Sequence, residues 1–418
     1  MTFLNNLKRS GAICGLAWRN LWRNPQRTWL TVGAMIFSNV LLVAMITLQL
    51  GMYDTMIETS LKTMSGHLQV QKKGYQDEPR MRDGFAGVAR LSRELRRELG
   101  LKTISARAEG FGLASSAERS IGIRIMGVEP EAEPRVSSLP GMLGEGRWLK
   151  GMEAEEIVLG ASLARNLKVS VGDVVTFLGT ARDGSMAAAV VTVVGILETG
   201  IGDVDRSLAQ LPLGYFQTVF GMPDQAHRLV IQLTALDQVE PARQLLRETL
   251  AQRPELAVLD WDALQPGLRQ GIEADFVSAW FLYGILILLV SLSVLNTQLM
   301  SVLERTREFG VMLALGMAPG RLARLIMLES VCMVLLGLAL GVLGGGLVAA
   351  CLAHWGFSVP GMEEAMARFN LPGRIYPPLS LPGLMIGPLA LCAGAVLASA
   401  YPALRLYWLR PLAAMRSR

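Results

Sequence analysis

Hydrophobic residues are concentrated in four long runs along the chain. Four stretches contain no Asp, Glu, Lys or Arg: residues 28–53, 276–303, 330–362 and 375–404. A helix needs about 20 mostly apolar residues to cross a bilayer, and every run exceeds that length. The pattern therefore predicts four transmembrane helices. We place them at 28–52, 276–302, 322–353 and 380–402.

Between the first two runs the pattern changes to short alternating segments. Alternation predicts strands at 67–71, 121–126, 173–178, 187–197 and 228–234. Helical periodicity predicts helices at 88–99, 160–167 and 238–252. Strands interleaved with helices are typical of an α+β domain, which we place at 53–275. Within residues 178–186, Asp183-Gly184 predicts a tight hairpin turn.

The distribution of charge predicts the topology. Residues 1–27, 304–324 and 405–418 together hold 13 basic and 2 acidic residues, whereas residues 54–275 hold 25 basic and 30 acidic ones. Cytoplasmic flanks of transmembrane helices carry an excess of Lys and Arg. We therefore expect both termini inside and the large domain outside. The remaining predicted segments are an amphipathic cytoplasmic N-terminal helix (1–27), a cytoplasmic helix (303–321), an external loop (354–379) and a cytoplasmic tail (403–418).

Composition agrees with a membrane protein. Hydrophobic residues make up 51% of the 418 residues and charged residues only 18%, against roughly 25% in soluble domains. The isoelectric point near 9.1 comes from the basic flanks, which suit anionic lipid head groups rather than nucleic acid. None of the four cysteines lies within 53–275, so this domain is expected to fold without disulfides.

Sequence motifs of catalysis and metal binding are missing. The chain has no G-x-x-x-x-G-K-[ST], H-E-x-x-H or G-x-S-x-G motif, and its three histidines lie far apart. We therefore predict no enzyme activity, no metal site and no cofactor site in this chain. Glu329 is the one carboxylate within a predicted span, and we expect it to pair with a nearby arginine rather than carry protons.

Three glycines at four-residue spacing, Gly337, Gly341 and Gly345, lie in the third predicted span. Small residues so spaced let two helix backbones approach closely. The partner helix is either a neighbouring span of the same chain or a second subunit, and the pattern alone leaves both open.

The stretch from Ser301 to Met317 is the most informative segment outside the spans. Glu304 and Glu308 are four residues apart and share one face of a helix, whereas Phe309 lies on an apolar face. A short amphipathic helix of this kind either docks into a groove of a soluble partner or rests on the membrane surface. We favour docking.

This stretch also carries a family resemblance. Glu-Arg-Thr-Arg-Glu-Phe-Gly (304–310), followed by Ala-Leu-Gly (314–316), resembles the signature of the FtsX/MacB/LolC-LolE permeases of ABC transporters. Residues 17–28, Asn296 and the segment 401–416 are similar to other parts of these permeases. In the external segment, Gly66-His-Leu-Gln-Val, Val158-Leu-Gly, Val171-Gly-Asp and Val194-Gly-Ile look like the MacB-type periplasmic core domain.

The resemblance implies a mechanotransmission transporter in the bacterial inner membrane. Two permease protomers, identical or different, would associate with a separate ATPase that binds ATP and Mg²⁺. The coupling helix would pass ATP-driven closure to the spans, with Phe309 filling a pocket on the ATPase. The residues assigned to coupling are Glu304, Arg305, Arg307, Glu308, Phe309, Gly310, Leu313 and Gly316.

Three kinds of function fit the resemblance: lipoprotein release, MacB-like efflux of amphiphilic molecules or peptides, and FtsX-like signalling to a periplasmic partner. We favour lipoprotein release, with a periplasmic carrier or adaptor as a further partner. Only 27 residues precede the first predicted span, so we expect no fused ATPase ahead of it. Release would need an acyl-chain site on the outer halves of the first two spans. The residues predicted to line it are Val43, Ile46, Leu50, Phe281 and Ile285.

Overall fold

The computed structural model describes residues 15–358, 361 and 374–406. They form two units: a helical unit of residues 15–54, 272–358 and 374–406, and an α+β unit that contains residues 55–271. In this part of the chain the helices are α1 (15–21), α2 (Pro25–Ser60), α3 (Val88–Glu98), α4 (Glu133–Val136), α5 (Ala161–Leu167), α6 (Gly202–Ser207), α7 (Leu213–Val219), α8 (Val239–Thr249), α9 (Trp261–Leu264), α10 (Pro266–Glu304), α11 (Thr306–Ala314), α12 (Pro319–Trp355) and α13 (Leu381–Arg405).

Four of these helices, α2, α10, α12 and α13, are long and apolar enough to cross a membrane. With its π-helical continuation Leu61–Ser65, α2 has 41 residues, and α10 and α12 have 39 and 37. At 1.5 Å per residue these three are about 55–60 Å long, nearly twice the hydrocarbon thickness of about 30 Å. They therefore extend further than the predicted spans 28–52, 276–302 and 322–353.

The glycines of α12 pack against α2 of the same chain. A Cβ atom added at any of the three would lie within 2.8 Å of an α2 side chain, so only glycine permits this approach. The contacts pair Gly337 with Met35, Gly341 with Asn39, and Gly345 with Val43. Of the two explanations left open by the spacing, packing within the chain is confirmed.

The α+β unit is built on one mixed sheet. The strands of residues 55–271 are β1 (Leu68–Lys72), β2 (Phe85–Ala86), β3 (Ile104–Ser115), β4 (Ser120–Val128), β5 (Leu143–Gly146), β6 (Glu156–Gly160), β7 (Val174–Thr180), β8 (Met186–Leu197), β9 (Leu208–Pro212), β10 (Gln225–Ala226), β11 (Arg228–Ile231) and β12 (Leu256–Asp260). The main sheet has the order β12-β1-β11-β3-β4-β9-β6-β8-β5, with β7 bridging β3 and β8. The β4–β9 and β6–β8 pairs are parallel, and the other pairs are antiparallel.

The main core of this unit lies between the sheet and helices such as α3, α7 and α8. Phe216 and Phe220 stack at 4.3 Å between ring centroids, and Phe177 of β7 stacks on Phe220 at 6.0 Å. The predicted fold class is confirmed: four long apolar helices, with a large α+β domain between the first and the second. The predictions missed β3, β5, β6, β9, β12 and the two-residue strands β2 and β10. In β6, β9 and β12 apolar and polar residues do not alternate regularly, whereas β3 does alternate from Ile104 to Glu109.

Candidate coupling site

The short helix α11 is defined by its two ends. At Arg305 the backbone leaves the helical region, which separates α11 from α10. At the other end Gly316 has φ +91°, and the Met317 and Gly316 amides donate to the carbonyls of Met312 and Leu313 at 3.0 Å. This is the glycine-terminated turn that commonly ends helices. It reverses the chain into α12, which begins at Pro319.

Ion pairs connect this segment to the N-terminal helices. Arg27 of α2 pairs with Glu304 at 2.9 Å. Arg23, between α1 and α2, makes a two-pronged contact with Glu308 at 2.8 and 3.2 Å. The hydrogen bond from Arg23 lowers the pKa of the Glu308 carboxyl, and the same bond raises the pKa of Arg23. Both side chains are partly exposed, so water and salt screen this attraction.

A more buried pair continues the network to α12. Arg305 lies 3.2 Å from Glu329, which is buried and also accepts a hydrogen bond from Asn20 at 2.5 Å. The Arg305 guanidinium stands over the Phe309 ring at 5.0 Å and contacts Glu308 at 3.2 Å. The prediction that Glu329 pairs with an arginine is confirmed. We call the pairs Arg23–Glu308, Arg27–Glu304 and Arg305–Glu329 the α11 network.

The α11 network surrounds a polar cavity of about 290 Å³. Its walls include Thr297, Gln298 and Ser301 of α10 in addition to the charged pairs. Three arginines face three glutamates here, so the charges balance. Within residues 15–358, 361 and 374–406, no group of three His, Cys, Asp or Glu side chains could hold a metal ion. The arrangement suits mechanical connection of helices.

One predicted role in coupling is wrong. Phe309 is only 1% exposed and packs in a cluster of its own chain with Val302, Leu322 and Ile326, so it cannot fill a pocket on a partner. Gly310 is also buried, and Leu313 packs against the same cluster. Periodicity identified an apolar face, but α10 and α12 cover that face.

Other residues of the segment are exposed instead. Leu315 is 83% exposed, and Val311 and Met317 are also exposed, as is Arg307. We call Arg307, Val311, Leu315 and Met317 the coupling tip. Three of the four were not among the predicted residues. The sequence pattern indicates their exposure only weakly, because Leu315 and Met317 flank Gly316, where helical periodicity ends.

The residues predicted to line an acyl-chain site do not form one surface. Val43 is fully buried and Ile46 is buried, because the glycines of α12 and α13 bring those helices against them. Leu50 is half-buried beside Gly383. Phe281, 71% exposed, and Ile285 instead lie on the outside of α10. The prediction of a single lining set is therefore wrong.

The predicted hairpin joins β7 and β8, with Thr180 opposite Met186. Gly184 has φ +88°, and its amide donates to the Ala181 carbonyl at 3.0 Å. The Asp183 carboxylate accepts from the Ser185 amide and hydroxyl at 2.9 and 2.6 Å. The tight turn is confirmed. Leu178 and Met186 are exposed beside it.

Family models match almost the whole described chain. Residues 28–249, more than half of the sequence, match the MacB-like periplasmic core domain, and residues 280–411 match the FtsX-like permease C-terminal region. Four apolar helices and these two regions define a membrane permease of the ABC transporter type. The chain belongs to the FtsX-like permeases with a MacB-like periplasmic core domain, and it is an inner-membrane protein.

Several named proteins are similar to this chain. The lipoprotein-releasing system transmembrane protein LolE of Haemophilus influenzae is 25% identical over 339 residues, 78% of this chain and 80% of that protein. LolC of Neisseria meningitidis is 25% identical over 243 residues, 56% of this chain and 58% of that protein. The macrolide export ATP-binding/permease protein MacB 1 of Aeromonas hydrophila is 28% identical over 230 residues, 52% of this chain and 34% of that protein.

Proposed function

We propose that this chain is the membrane subunit of an ABC transporter that releases lipoproteins from the inner membrane toward the outer membrane. ATP hydrolysis by a separate subunit would drive movement of the periplasmic domain. The observation that carries the proposal is the α11 segment. The α11 network joins it to the turn before α2, to α2 and to α12, while the coupling tip exposes apolar side chains. A push on this tip would reach several membrane helices at once.

The energy source is another protein in this proposal, because the sequence contains no phosphate-binding loop. ATP and Mg²⁺ bind to that ATPase, and this chain has no catalytic role of its own. Exposed Val311, Leu315 and Met317 provide the apolar part of the contact, with Arg307 as a charge beside them. A small apolar helix end of this kind suits a groove on a soluble partner.

The orientation follows from charge. The excess of 13 basic over 2 acidic residues in the flanking segments supports a cytoplasmic position for α1, α11 and both chain ends. The domain of residues 55–271 then faces the periplasm. A second permease protomer, identical or different, completes the membrane part of the transporter.

Lipidated proteins are the proposed cargo because the similarity to LolE extends over 78% of this chain. Exposed Phe281 and Ile285 on α10 offer an apolar surface for acyl chains or membrane lipid. A second candidate is export of amphiphilic small molecules or peptides, which the 28% identity to MacB 1 of Aeromonas hydrophila supports.

The experiment uses the full chain with its ATPase in proteoliposomes that hold either a lipidated protein or the same protein lacking its lipid. Wild type is expected to release only the lipidated form, and only with ATP. Leu315→Asp should reduce co-purification of the ATPase and ATP-driven release at least tenfold, because a carboxylate in an apolar contact is desolvated without a partner.

Leu245→Asp is the matched control, since Leu245 is an exposed leucine on helix α8 of the periplasmic domain. It should bind the ATPase and release cargo like wild type. Normal ATPase binding by Leu315→Asp would show that the coupling tip is not the contact. Release of a dye-like amphiphile, without release of the lipidated protein, would favour the second candidate.

A further inference from the structure

The C-terminal end of α2 lies within the periplasmic unit, where it continues as one π-helical turn, Leu61–Ser65. The last carbonyls of a helix lack partners within the helix. Here five consecutive carbonyls each accept a hydrogen bond. The donors are the Gly66 amide to Leu61 (2.8 Å), the Ser138 amide to Lys62 (2.7 Å), the Ser137 hydroxyl to Thr63 (2.7 Å), the Arg107 guanidinium to Met64, and the Gln69 side-chain amide to Ser65 (2.6 Å).

One of these donors belongs to a buried ion pair. Arg107 of β3 and Glu133 of α4 have side chains that are 3% and 0% exposed, and they meet in a two-pronged contact at 2.6 and 3.2 Å. The remaining terminal nitrogen of Arg107 donates to the Met64 carbonyl. The Ser105 hydroxyl donates to Glu133 at 2.9 Å. The rigid fork of the guanidinium thus holds the sheet, α4 and the end of α2 in one geometry.

Gln265, the residue that precedes α10, also contacts this end of α2. The side chain of Gln265 accepts from the Ser60 hydroxyl at 2.5 Å and donates to the Ser65 hydroxyl at 2.6 Å. Gln265 is followed by Pro266, the first residue of α10. The end of α2 and the start of α10 are therefore tied together beside the ion pair.

A buried ion pair adds little stability over an apolar pair of similar size, but it imposes a single geometry. A π-helical turn is an uncommon conformation that occurs frequently at functional sites. We propose that Arg107 and Glu133 form a helix-end clamp. It passes a displacement of α2 to the sheet and keeps the turn Leu61–Ser65 from absorbing that displacement by unwinding. This inference rests on the proposed function. Both residues act as positioning residues.

The test uses the full chain with its ATPase in proteoliposomes. A fluorophore on Met186→Cys, in a background without other cysteines, reports ATP-dependent change in the periplasmic domain. The main variant is Arg107→Met/Glu133→Leu, which replaces the pair by apolar side chains and keeps the domain folded. The second variant, Arg107→Lys, keeps one charge for Glu133 but lacks the fork that also reaches Met64.

Arg147→Met/Glu156→Leu is the matched control, because Arg147 and Glu156 form another two-pronged pair of the same domain. Both clamp variants should hydrolyse ATP within about twofold of wild type. They should lose at least 80% of the ATP-dependent fluorescence change, and amide hydrogen exchange within residues 61–66 should rise at least tenfold. The control variant should match wild type in all three measurements.

The outcomes separate the two proposals. No ATP-dependent change in wild type would overturn the proposed function, and the clamp's role in it. A change in wild type that persists in both clamp variants would overturn the clamp alone, as would unaltered hydrogen exchange within residues 61–66. Loss of the signal in the control variant as well would also overturn the clamp, since any ion pair of the domain would then suffice.

Discussion

Two sets of arginine–glutamate contacts join helices in this molecule, and they differ in exposure. In the α11 network, Arg23 and Glu308 are partly exposed, so water and salt weaken their attraction. In the helix-end clamp, Arg107 and Glu133 are fully enclosed and share one geometry. Exposed pairs can exchange partners at little energetic cost, whereas a buried pair cannot. The comparison indicates an adjustable connection at the exposed Arg23–Glu308 pair of the α11 network and a rigid one in the periplasmic domain.

The largest effect is expected from breaking the buried pair on one side only. Arg107→Met leaves the Glu133 carboxylate buried without its partner, which should destabilise the domain by about 3–5 kcal/mol. Arg107→Met/Glu133→Leu should recover most of that loss, because no charge is left unpaired. Urea-dependent protease sensitivity of the periplasmic domain in the full chain measures both. If Arg107→Met and Arg107→Met/Glu133→Leu are equally stable, an unpaired Glu133 carries no cost. The proposed difference between the buried clamp and the exposed α11 pairs would then be wrong.

An intermediate effect is expected at the buried end of the α11 network. Glu329→Gln removes the negative charge beside Arg305, which is itself mostly buried. Loss of a charged hydrogen-bond partner should cost about 1–3 kcal/mol. Resistance of the detergent-solubilised full chain to thermal unfolding is the measurement. Glu304→Gln, at the more exposed Arg27 pair, is the control and should change the melting temperature less.

A smaller effect on stability is expected at the exposed Arg23–Glu308 pair of the α11 network. This effect distinguishes a contact within the chain from a contact with the ATPase. Glu308→Lys places two positive charges together at Arg23, so it should loosen the α11 segment and lower coupled ATPase activity. The swapped double variant Arg23→Glu/Glu308→Arg restores opposite charges and should recover at least half of the lost activity. If the double variant stays as defective as the single one, Glu308 contacts the ATPase rather than Arg23.

The smallest effect concerns pH. In His227 and His67, Nδ1 accepts a backbone amide, from Glu109 at 2.9 Å and from Leu233 at 3.2 Å, and burial lowers the pKa of both below 6.5. Below that pH the unfolded chain binds protons that the folded domain does not bind. Stability of the domain should therefore fall as the pH drops from about 6.5 to 5.

His227→Gln should flatten part of this fall, as judged by urea-dependent protease sensitivity at pH 7.5, 6.5 and 5. The raised pKa of half-buried Glu129 acts in the opposite direction, so the difference between variant and wild type is the quantity to compare. The Arg23–Glu308 pair should not respond in this range, because the pKa of Glu308 is lowered from 4.5. If wild type and His227→Gln show the same dependence of stability on pH, His227 does not contribute to the loss of stability at low pH.

Several features of this protein follow from its sequence alone. The four charge-free runs predicted the membrane helices, because a helix that crosses a bilayer needs a continuous run of apolar residues and charged groups in the bilayer core cost free energy. The Asp183-Gly184 turn and the α11 helix were predictable for the same reason, because turn chemistry and helical periodicity are local. The family signature added the proposed coupling role of α11, which no local pattern contains.

Tertiary structure decided which faces are covered and which charges meet. Phe309 is buried because α10 and α12 pack over it, and Val43 is buried because glycines of another helix approach it. Asn20 meets Glu329 across 309 positions of sequence, and Arg107 meets Glu133 across 26. Such contacts depend on how whole elements pack, and the residues that flank each partner in the sequence carry no information about that packing.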